Sequence, residues 1–241
     1  MTHSTGFSCF RSWPRSGSLA LVAALAAGLA IATVAPPRAY AGEPGQRLQS
    51  AAEVFHAIMS APDGGVPRSL LHRAQCVMVV PGMKRAGFVF GGNFGRGVVS
   101  CRTGNGWSAP LFLTLGGGSF GLQIGAQEAD IVMLIMDRHG EQYLLRDKFT
   151  IGGSMDATAG PVGRSASAET DAMLHAEMLS YSRSRGLFGG ITLKGGVVKQ
   201  DHNANRRFYG NASAKSILSG AVGAPQQARA LLSELHDYST E

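Results

Sequence analysis

The sequence has 241 residues, a formal net charge of +6, three cysteines and an unusually large number of glycines, 33. A chain of this length could form two small domains or one large β-rich domain. The modest positive charge argues against a nucleic-acid-binding protein, which would carry a clustered basic face and a recognisable binding module.

The first 41 residues have the pattern of a secretory signal peptide. Arg11 and Arg15 precede an uncharged apolar run, residues 19–34, and residues 39–41 (Ala-Tyr-Ala) supply a signal peptidase motif. We therefore predict cleavage before Gly42 and an exported mature protein that is periplasmic or associated with the outer membrane. An uncleaved membrane anchor is the alternative, although an apolar run of about 16 residues is short for a spanning helix.

Residues 42–241 carry 19 Lys and Arg against 16 Asp and Glu, which is a net charge of +3. This excess suits loose attraction to anionic lipid headgroups. Because no second low-complexity linker interrupts these residues, we expect them to form a single domain.

Residues 46–60 predict a helix that ends before the Pro-Asp-Gly-Gly stretch at 62–65. Packing on the core is one interpretation of its apolar face. A membrane-facing helix is the other, although a polar face with only Arg47, Glu53 and His56 is weakly basic. The apolar residues, spaced by three and four, are Leu48, Ala52, Phe55 and Met59.

A series of strands should follow a short helical turn at residues 66–74. The Asn105-Gly106 pair is the strongest hairpin signal in the chain, and the apolar run 130–137 predicts a strand buried on both faces. Further strands are predicted within 143–151, 176–186 and 187–199. Helices are predicted at 213–220 and from Pro225 to the C-terminus.

Glycine pairs and triplets lie beside β-forming residues along this region, where they typically mark bulges, sharp coiling or close backbone approach. The predicted fold is therefore mainly β with flanking helices (α+β), built on a coiled, partly closed or barrel-like antiparallel sheet. The glycines lie at 91–92, 116–118, 152–153, 189–190 and 195–196.

Cys76 and Cys101 could form a disulfide in an oxidising compartment. However, Cys76 starts one predicted strand and Cys101 ends another two strands later. In an up-down-up meander the two would lie at opposite ends of the sheet, beyond disulfide reach. We expect buried thiols, with pairing as the alternative.

Two catalytic motifs overlap in residues 116–121. The glycines fit G-x-G-x-x-G, and Ser119 fits the G-x-S-x-G nucleophile elbow. Both motifs require a helix to begin at the loop, whereas strand-like alternation follows here. We expect no enzymatic activity, no metal and no cofactor, and a serine hydrolase that uses Ser119 is the least favoured alternative.

The candidate binding residues are cations near the end of the predicted strand 191–199. Lys194 and Lys199 lie on that strand, and Arg206 and Arg207 follow a predicted turn beside an aromatic pair. A solvated turn with an aromatic anchor on the core is one interpretation. The other is an anion-binding edge, where cations and glycine amides meet a headgroup phosphate.

Two further candidate cations, Lys84 and Arg85, lie in the predicted turn between the first two strands. They are the second choice for contact with lipid.

Five segments resemble, in order, the signature blocks of the SYLF domain, also called the Ysc84 or DUF500 family. The resemblance extends over about residues 48–238, nearly the whole chain after the predicted signal peptide. The segments are "AGFVFGGNFGRGVVSCRTGNGWSAP", "GGGSFGLQIGAQEADIVMLIM", "AGPVGRSASAE", "SYSRSRGLFGGITLKGG" and "NANRRFYG".

This resemblance implies a lipid-binding rather than a catalytic domain. Eukaryotic relatives bind phosphoinositide membranes, the yeast branch also associates with actin, and bacterial relatives are commonly exported envelope proteins. Export would keep this chain away from cytoplasmic actin. The expected function is binding of anionic phospholipid headgroups at the bacterial cell envelope, and the alternative is a structural or interaction protein of the envelope that binds no lipid.

Overall fold

The computed structural model describes residues 44–61, 65–87, 90–120, 125–161, 176–184, 187–191 and 193–240. The predicted signal peptide and most of the block 159–169 lie outside these residues. The helices are α1 (Pro44–Met59), α2 (Arg68–Arg73), α3 (Arg138–Leu144), α4 (His202–Tyr209), α5 (Ala214–Leu218) and α6 (Arg229–Ser239), with a 3-10 turn at Gln226–Ala228. The strands are β1 (Cys76–Gly87), β2 (Phe90–Thr103), β3 (Gly106–Trp107), β4 (Leu111–Phe120), β5 (Gly125–Ile135), β6 (Lys148–Thr150), β7 (Ala157–Ala159), β8 (Met178–Ser184), β9 (Leu187–Gly190) and β10 (Val197–Gln200).

The strands form one curled sheet. Eight follow the order β6-β10-β4-β2-β1-β5-β8-β7, with β3 added to β2 and β9 added to β8. The edge strands β6 and β7 are joined by residues 151–156, which span about 25 Å at most, whereas the edges of a flat eight-stranded sheet lie about 34 Å apart. The sheet must therefore curl, and it forms a half-barrel with flanking helices, as predicted.

The central part of the sheet is buried on both faces. Side chains of the inner face form one hydrophobic cluster that includes residues from both edges of the sheet, such as Phe149 and Ala157. The inner face therefore lies inside the curl. The outer face packs under α1, α2 and α6. Along β5, Ile131 and Met133 belong to the inner cluster and Val132 to the outer one, all with 0% exposure. This confirms the predicted strand buried on both faces for residues 131–135, whereas Met136 and Asp137 lie beyond the end of β5.

Helix α1 packs its apolar face on the outer side of the sheet, as the core-packed interpretation predicts. Leu48, Phe55 and Ile58 are fully buried, and the Phe55 ring meets Tyr238 of α6 with centroids 6.1 Å apart. This face is therefore covered by protein, which contradicts the membrane-facing interpretation. Arg47 was predicted on the polar face, but it is buried.

Cys76 and Cys101 form a disulfide, so the expectation of two thiols is wrong. β1 and β2 are neighbours in the chain and pair antiparallel, with Cys76 directly opposite Cys101. The sequence interpretation counted one strand too many between them. In a simple hairpin, the start of the first strand meets the end of the second, and this brings the two side chains together.

The first two strands are longer than predicted, because β1 continues past a bulge between Val79 and Lys84. Lys84 and Arg85 therefore lie inside β1, and their placement in a turn is wrong. Gly97 of β2 faces this bulge, where a Cβ would overlap the carbonyl oxygen of Val79. A glycine in β2 thus permits the close approach that the glycine-rich sequence suggested.

The hairpin predicted at Asn105-Gly106 is present, but its turn begins one residue earlier. Thr103 pairs with Gly106, so Gly104 and Asn105 occupy the two central positions. Gly106 begins β3 with φ of +118°, a backbone conformation that favours glycine.

Two segments are helical where a strand or turn was predicted. Helix α3 takes the start of the predicted strand 143–151, and α4 replaces the turn after residue 200. The Asp137 carboxylate accepts a hydrogen bond from the Gly140 amide at 2.7 Å, and Asp201 accepts one from the Ala204 amide at 3.1 Å. Aspartate favours both turns and helix N-caps, so composition alone did not separate the two outcomes.

The C-terminal helices match the prediction, with Pro225 immediately before the 3-10 turn that leads into α6. None of the helices in the described parts of the chain is long and apolar enough to cross a membrane.

Candidate functional site

Strand alternation places the candidate cations on different faces of the sheet. Val198 and Met83 belong to the inner cluster, so the adjacent residues Lys199 and Lys84 project from the outer face. Arg85 follows Lys84 and projects from the inner face. Lys199 and Lys84 are exposed, whereas Arg85 is half-buried. The two neighbours Lys84 and Arg85 therefore belong to different surfaces.

Strand register brings three cations into one line across the outer face. Lys148 lies opposite Lys199, Lys199 opposite Thr114, and Thr114 opposite Arg96. We call these four residues the basic row. Because neighbouring strands are about 4.8 Å apart, the row is about 14 Å long. Its three cations are all exposed.

The pair Lys148 and Lys199 is unfavourable for folding by itself, since like charges directly opposite on neighbouring strands repel each other. An anion bound between them would relieve that repulsion. The basic row is therefore suited to a ligand with negatively charged oxygens.

Helix α1 leaves this part of the outer face open. A cleft of about 200 Å³ separates its first turns, at Arg47 and Ser50, from Pro81 and Arg96 of the sheet. The basic row thus begins where the coverage by α1 ends.

Acidic residues mark the other border of the basic surface. Glu128 of β5 lies opposite Lys84, and Asp130 lies opposite Arg183 of β8. The Asp130 carboxylate also accepts a hydrogen bond from the Gly82 amide at 2.9 Å. Positive charge therefore dominates the outer face from β6 to β2, and the acidic side chains of β5 offset it at the other border.

Arg206 and Arg207 lie, exposed, in the last turn of α4. Arg206 lines a cleft of about 180 Å³ between α4 and α5, together with His202, Gly210 and Ile217. These arginines form a second candidate group, on a helix rather than on the predicted turn.

The segment "NANRRFYG" is held to the sheet by structural contacts. Buried Asn205 accepts a hydrogen bond from the Phe112 amide at 2.8 Å and donates one to the Phe112 carbonyl at 2.9 Å. The Phe208 ring packs on Phe112, and the Tyr209 hydroxyl donates to the Pro110 carbonyl at 2.7 Å. Burial raises the pKa of Tyr209 above its ordinary value. The predicted aromatic anchor on the core is confirmed.

A buried ion pair fixes the start of α4 against α1. The Arg47 guanidinium lies 2.9 Å from the Asp201 carboxylate and 5.3 Å from the centre of the Phe112 ring. Burial lowers the pKa of Arg47, and the hydrogen bond with Asp201 opposes that shift. Arg47 is therefore a structural residue that positions α4.

Lys194 lies in an exposed turn before β10 rather than on the strand. This turn packs close to Gly152, since a Cβ there would lie 2.9 Å from Lys194 Cγ. Lys194 therefore lies outside the strand pairing that forms the basic row.

Ser119 lies within β4, opposite Gly91 of β2. A nucleophile elbow requires a strand-to-helix turn at the serine, and β4 instead continues to Phe120 with β5 beginning at Gly125. Residues 116–120 of the motif are therefore part of a glycine-rich strand, and Gly121 lies outside the described residues.

Sequence reasoning missed Arg96 and Lys148. Neither has a basic residue directly beside it in the sequence. The period-two alternation along β2 would have placed Arg96 on the same face as Val98. The line with Lys199 depends on register between strands that are far apart in sequence.

The described residues form a β-rich half-barrel with a row of exposed cations on its outer face. The pattern of the Ysc84 family, described as "Las17-binding protein actin regulator", matches residues 116–238. The chain belongs to this family, which is also named for its SYLF domain.

Relatives in yeast and mouse extend the same similarity. Protein YSC84 of Saccharomyces cerevisiae is 35% identical over 175 residues, which is 70% of this chain and 37% of the relative. LAS seventeen-binding protein 3 of the same species is 36% identical over 168 residues, 68% of this chain and 36% of the relative. SH3 domain-containing YSC84-like protein 1 of Mus musculus is 32% identical over 183 residues, 75% of this chain and 54% of the relative.

The chain thus spans about a third to a half of the length of the curated relatives it matches. One of those relatives is named for binding and one for an SH3 domain, and none of the three names denotes an enzyme.

Proposed function

We propose that the protein binds anionic phospholipid headgroups at a membrane surface and has no catalytic role. The observation that carries this proposal is the basic row, where Lys148, Lys199 and Arg96 stand exposed in line. Each cation near an anionic surface contributes about 1 kcal/mol. Lys84 lies on the same face, and the resemblance of the sequence to SYLF domains implies the same ligand class.

We also propose that this binding takes place at the bacterial cell envelope. The pattern in residues 1–41 favours export. The Cys76–Cys101 disulfide supports an oxidising compartment, because such bonds persist outside the reducing cytosol.

A second candidate function is that of a protein-interaction module that binds no lipid. A yeast relative carries the name LAS seventeen-binding protein 3, which describes a protein partner of that relative. The exposed cations would then meet an acidic protein surface, and vesicles would not compete for them.

Vesicle binding separates these two functions. We expect the purified protein to sediment with phosphatidylglycerol or cardiolipin vesicles at low salt, and to bind phosphatidylcholine vesicles weakly. Raising the ionic strength should release it, since the Debye length falls from about 30 Å at 0.01 M to about 8 Å at 0.15 M.

Two variants that each remove one positive charge test, in the same assay, which face of the sheet binds the vesicles. Lys84→Gln should weaken binding by about fivefold, as expected for one cation worth about 1 kcal/mol. Arg85→Gln removes the same charge from the inner face and should have less effect. Failure of the wild-type protein to bind any anionic or neutral vesicle would favour the protein-interaction module.

A further inference from the structure

A second line of residues runs beside the basic row on the same outer face. Val197 of β10 lies opposite Gly116 of β4, Gly116 opposite Phe94 of β2, and Phe94 opposite Lys84 of β1. Val197, Gly116 and Phe94 each lie two residues along their own strand from a member of the basic row, which is Lys199, Thr114 and Arg96 respectively. Val197 is 37% exposed and Phe94 is 52% exposed, so apolar side chains lie directly beside the cations.

The Phe94 ring lies against Gly116 on the sheet. An added Cβ at Gly116 would lie 3.7 Å from the Phe94 ring, so the ring lies against the glycine. On the other side, the Arg96 guanidinium is 5.9 Å from the ring centre. The aromatic side chain is thus supported by its neighbours while half of its surface remains exposed.

We infer that Phe94 and Val197 insert between lipid headgroups while the basic row binds their phosphates. This inference rests on the proposed function and specifies the docking surface. Apolar residues bordered by Lys and Arg enter the boundary between headgroups and acyl chains in interfacial membrane binding. The row of cations and the two apolar side chains beside it match the charged and apolar layers of an anionic bilayer.

The inner face provides a matched comparison. Leu187 of β9 is 77% exposed, more than Phe94. It lies opposite Ser184 of β8. Ser184 is two residues from Ser182, which lies opposite the inner-face residue Ile131, so Leu187 projects from the inner face. A contact driven by exposed apolar area alone would therefore use Leu187, whereas a contact guided by the basic row uses Phe94.

The first experiment measures insertion by tryptophan fluorescence. Phe94→Trp should show a blue shift and strong quenching on vesicles of phosphatidylglycerol with brominated acyl chains. The wild-type protein supplies the baseline, because Trp107 pairs with Arg102, about 26 Å along β2 from Phe94. Absence of quenching beyond that baseline in vesicle-bound protein would overturn the insertion while leaving the proposed function intact.

The second experiment measures affinity for phosphatidylglycerol vesicles. Phe94→Ala should weaken binding about tenfold, as expected for a half-exposed aromatic ring that enters the interface. Leu187→Ala should bind within about twofold of the wild type. Equal losses for the two variants would overturn the inference, and a wild-type protein that binds no vesicle would overturn both the inference and the proposed function.

Discussion

Reduction of the Cys76–Cys101 disulfide is expected to lower the free energy of unfolding by about 3 kcal/mol, given a closed loop of about 25 residues in the unfolded chain. Both sulfurs lie in the inner core, where Cys76 and Cys101 are 0% and 1% exposed. Urea denaturation with and without dithiothreitol measures the effect as a shift in the unfolding midpoint.

The control is the double variant Cys76→Ala and Cys101→Ala, which should unfold at the same urea concentration with or without reductant. Intact-mass measurement of the oxidised wild-type protein should give a mass lower by two hydrogen atoms than that of the reduced protein. Two thiols that react with maleimide in denatured, unreduced protein would contradict the disulfide.

Asp201→Ala is expected to lower the free energy of unfolding by about 3 kcal/mol, because it leaves the Arg47 charge buried without its partner. The side chains of Arg47 and Asp201 are 7% and 18% exposed. The same substitution removes the hydrogen bond from the Ala204 amide that caps α4. Chemical denaturation measures the change.

Asp201→Asn separates the two contributions. An asparagine keeps an oxygen for the cap and loses the negative charge, so we expect a smaller destabilisation than for alanine. Equal stability of the wild type and Asp201→Ala would show that the pair between α1 and α4 contributes nothing to the fold.

Much of the architecture follows from sequence periodicity. The spacing of Leu48 and Phe55 predicts α1, the apolar run 130–137 predicts the centre of β5, and Pro225 marks the start of the last helical segment. These features are local, since each depends on residues within one segment.

The failures share one physical cause, which is that contacts between segments decide the structure where the local pattern is ambiguous. A bulge extends β1 past residue 82, so the sequence interpretation divided a hairpin into three strands and separated Cys76 from Cys101. Aspartate at position 201 suits a turn as well as a helix N-cap, and the contact of Asn205 with Phe112 decides between them. Neither the bulge nor the contact between Asn205 and Phe112 can be recognised from the sequence of a single segment.

The candidate site was likewise predicted only where its residues are close together in the sequence. Basic residues that are adjacent in sequence, such as Arg206 and Arg207, were easily identified. Arg96 and Lys148 were not, because only the register of β6, β10, β4 and β2 brings them into line with Lys199. In a curled sheet, a binding surface assembled across strands leaves little trace in any single segment.

The affinity of charge-reversed variants for phosphatidylglycerol vesicles tests the central claim most directly. Lys148→Glu with Lys199→Glu keeps a pair of like charges at the same exposed positions, so its folding should match that of the wild type. Arg206→Glu with Arg207→Glu reverses the same charge on α4 and serves as the matched comparison. We expect the pair in the basic row to lose more than about thirtyfold in affinity at low salt, since removal of two cations alone accounts for that factor, and the pair on α4 to lose less. Unchanged affinity after reversal of Lys148 and Lys199 would contradict the central claim.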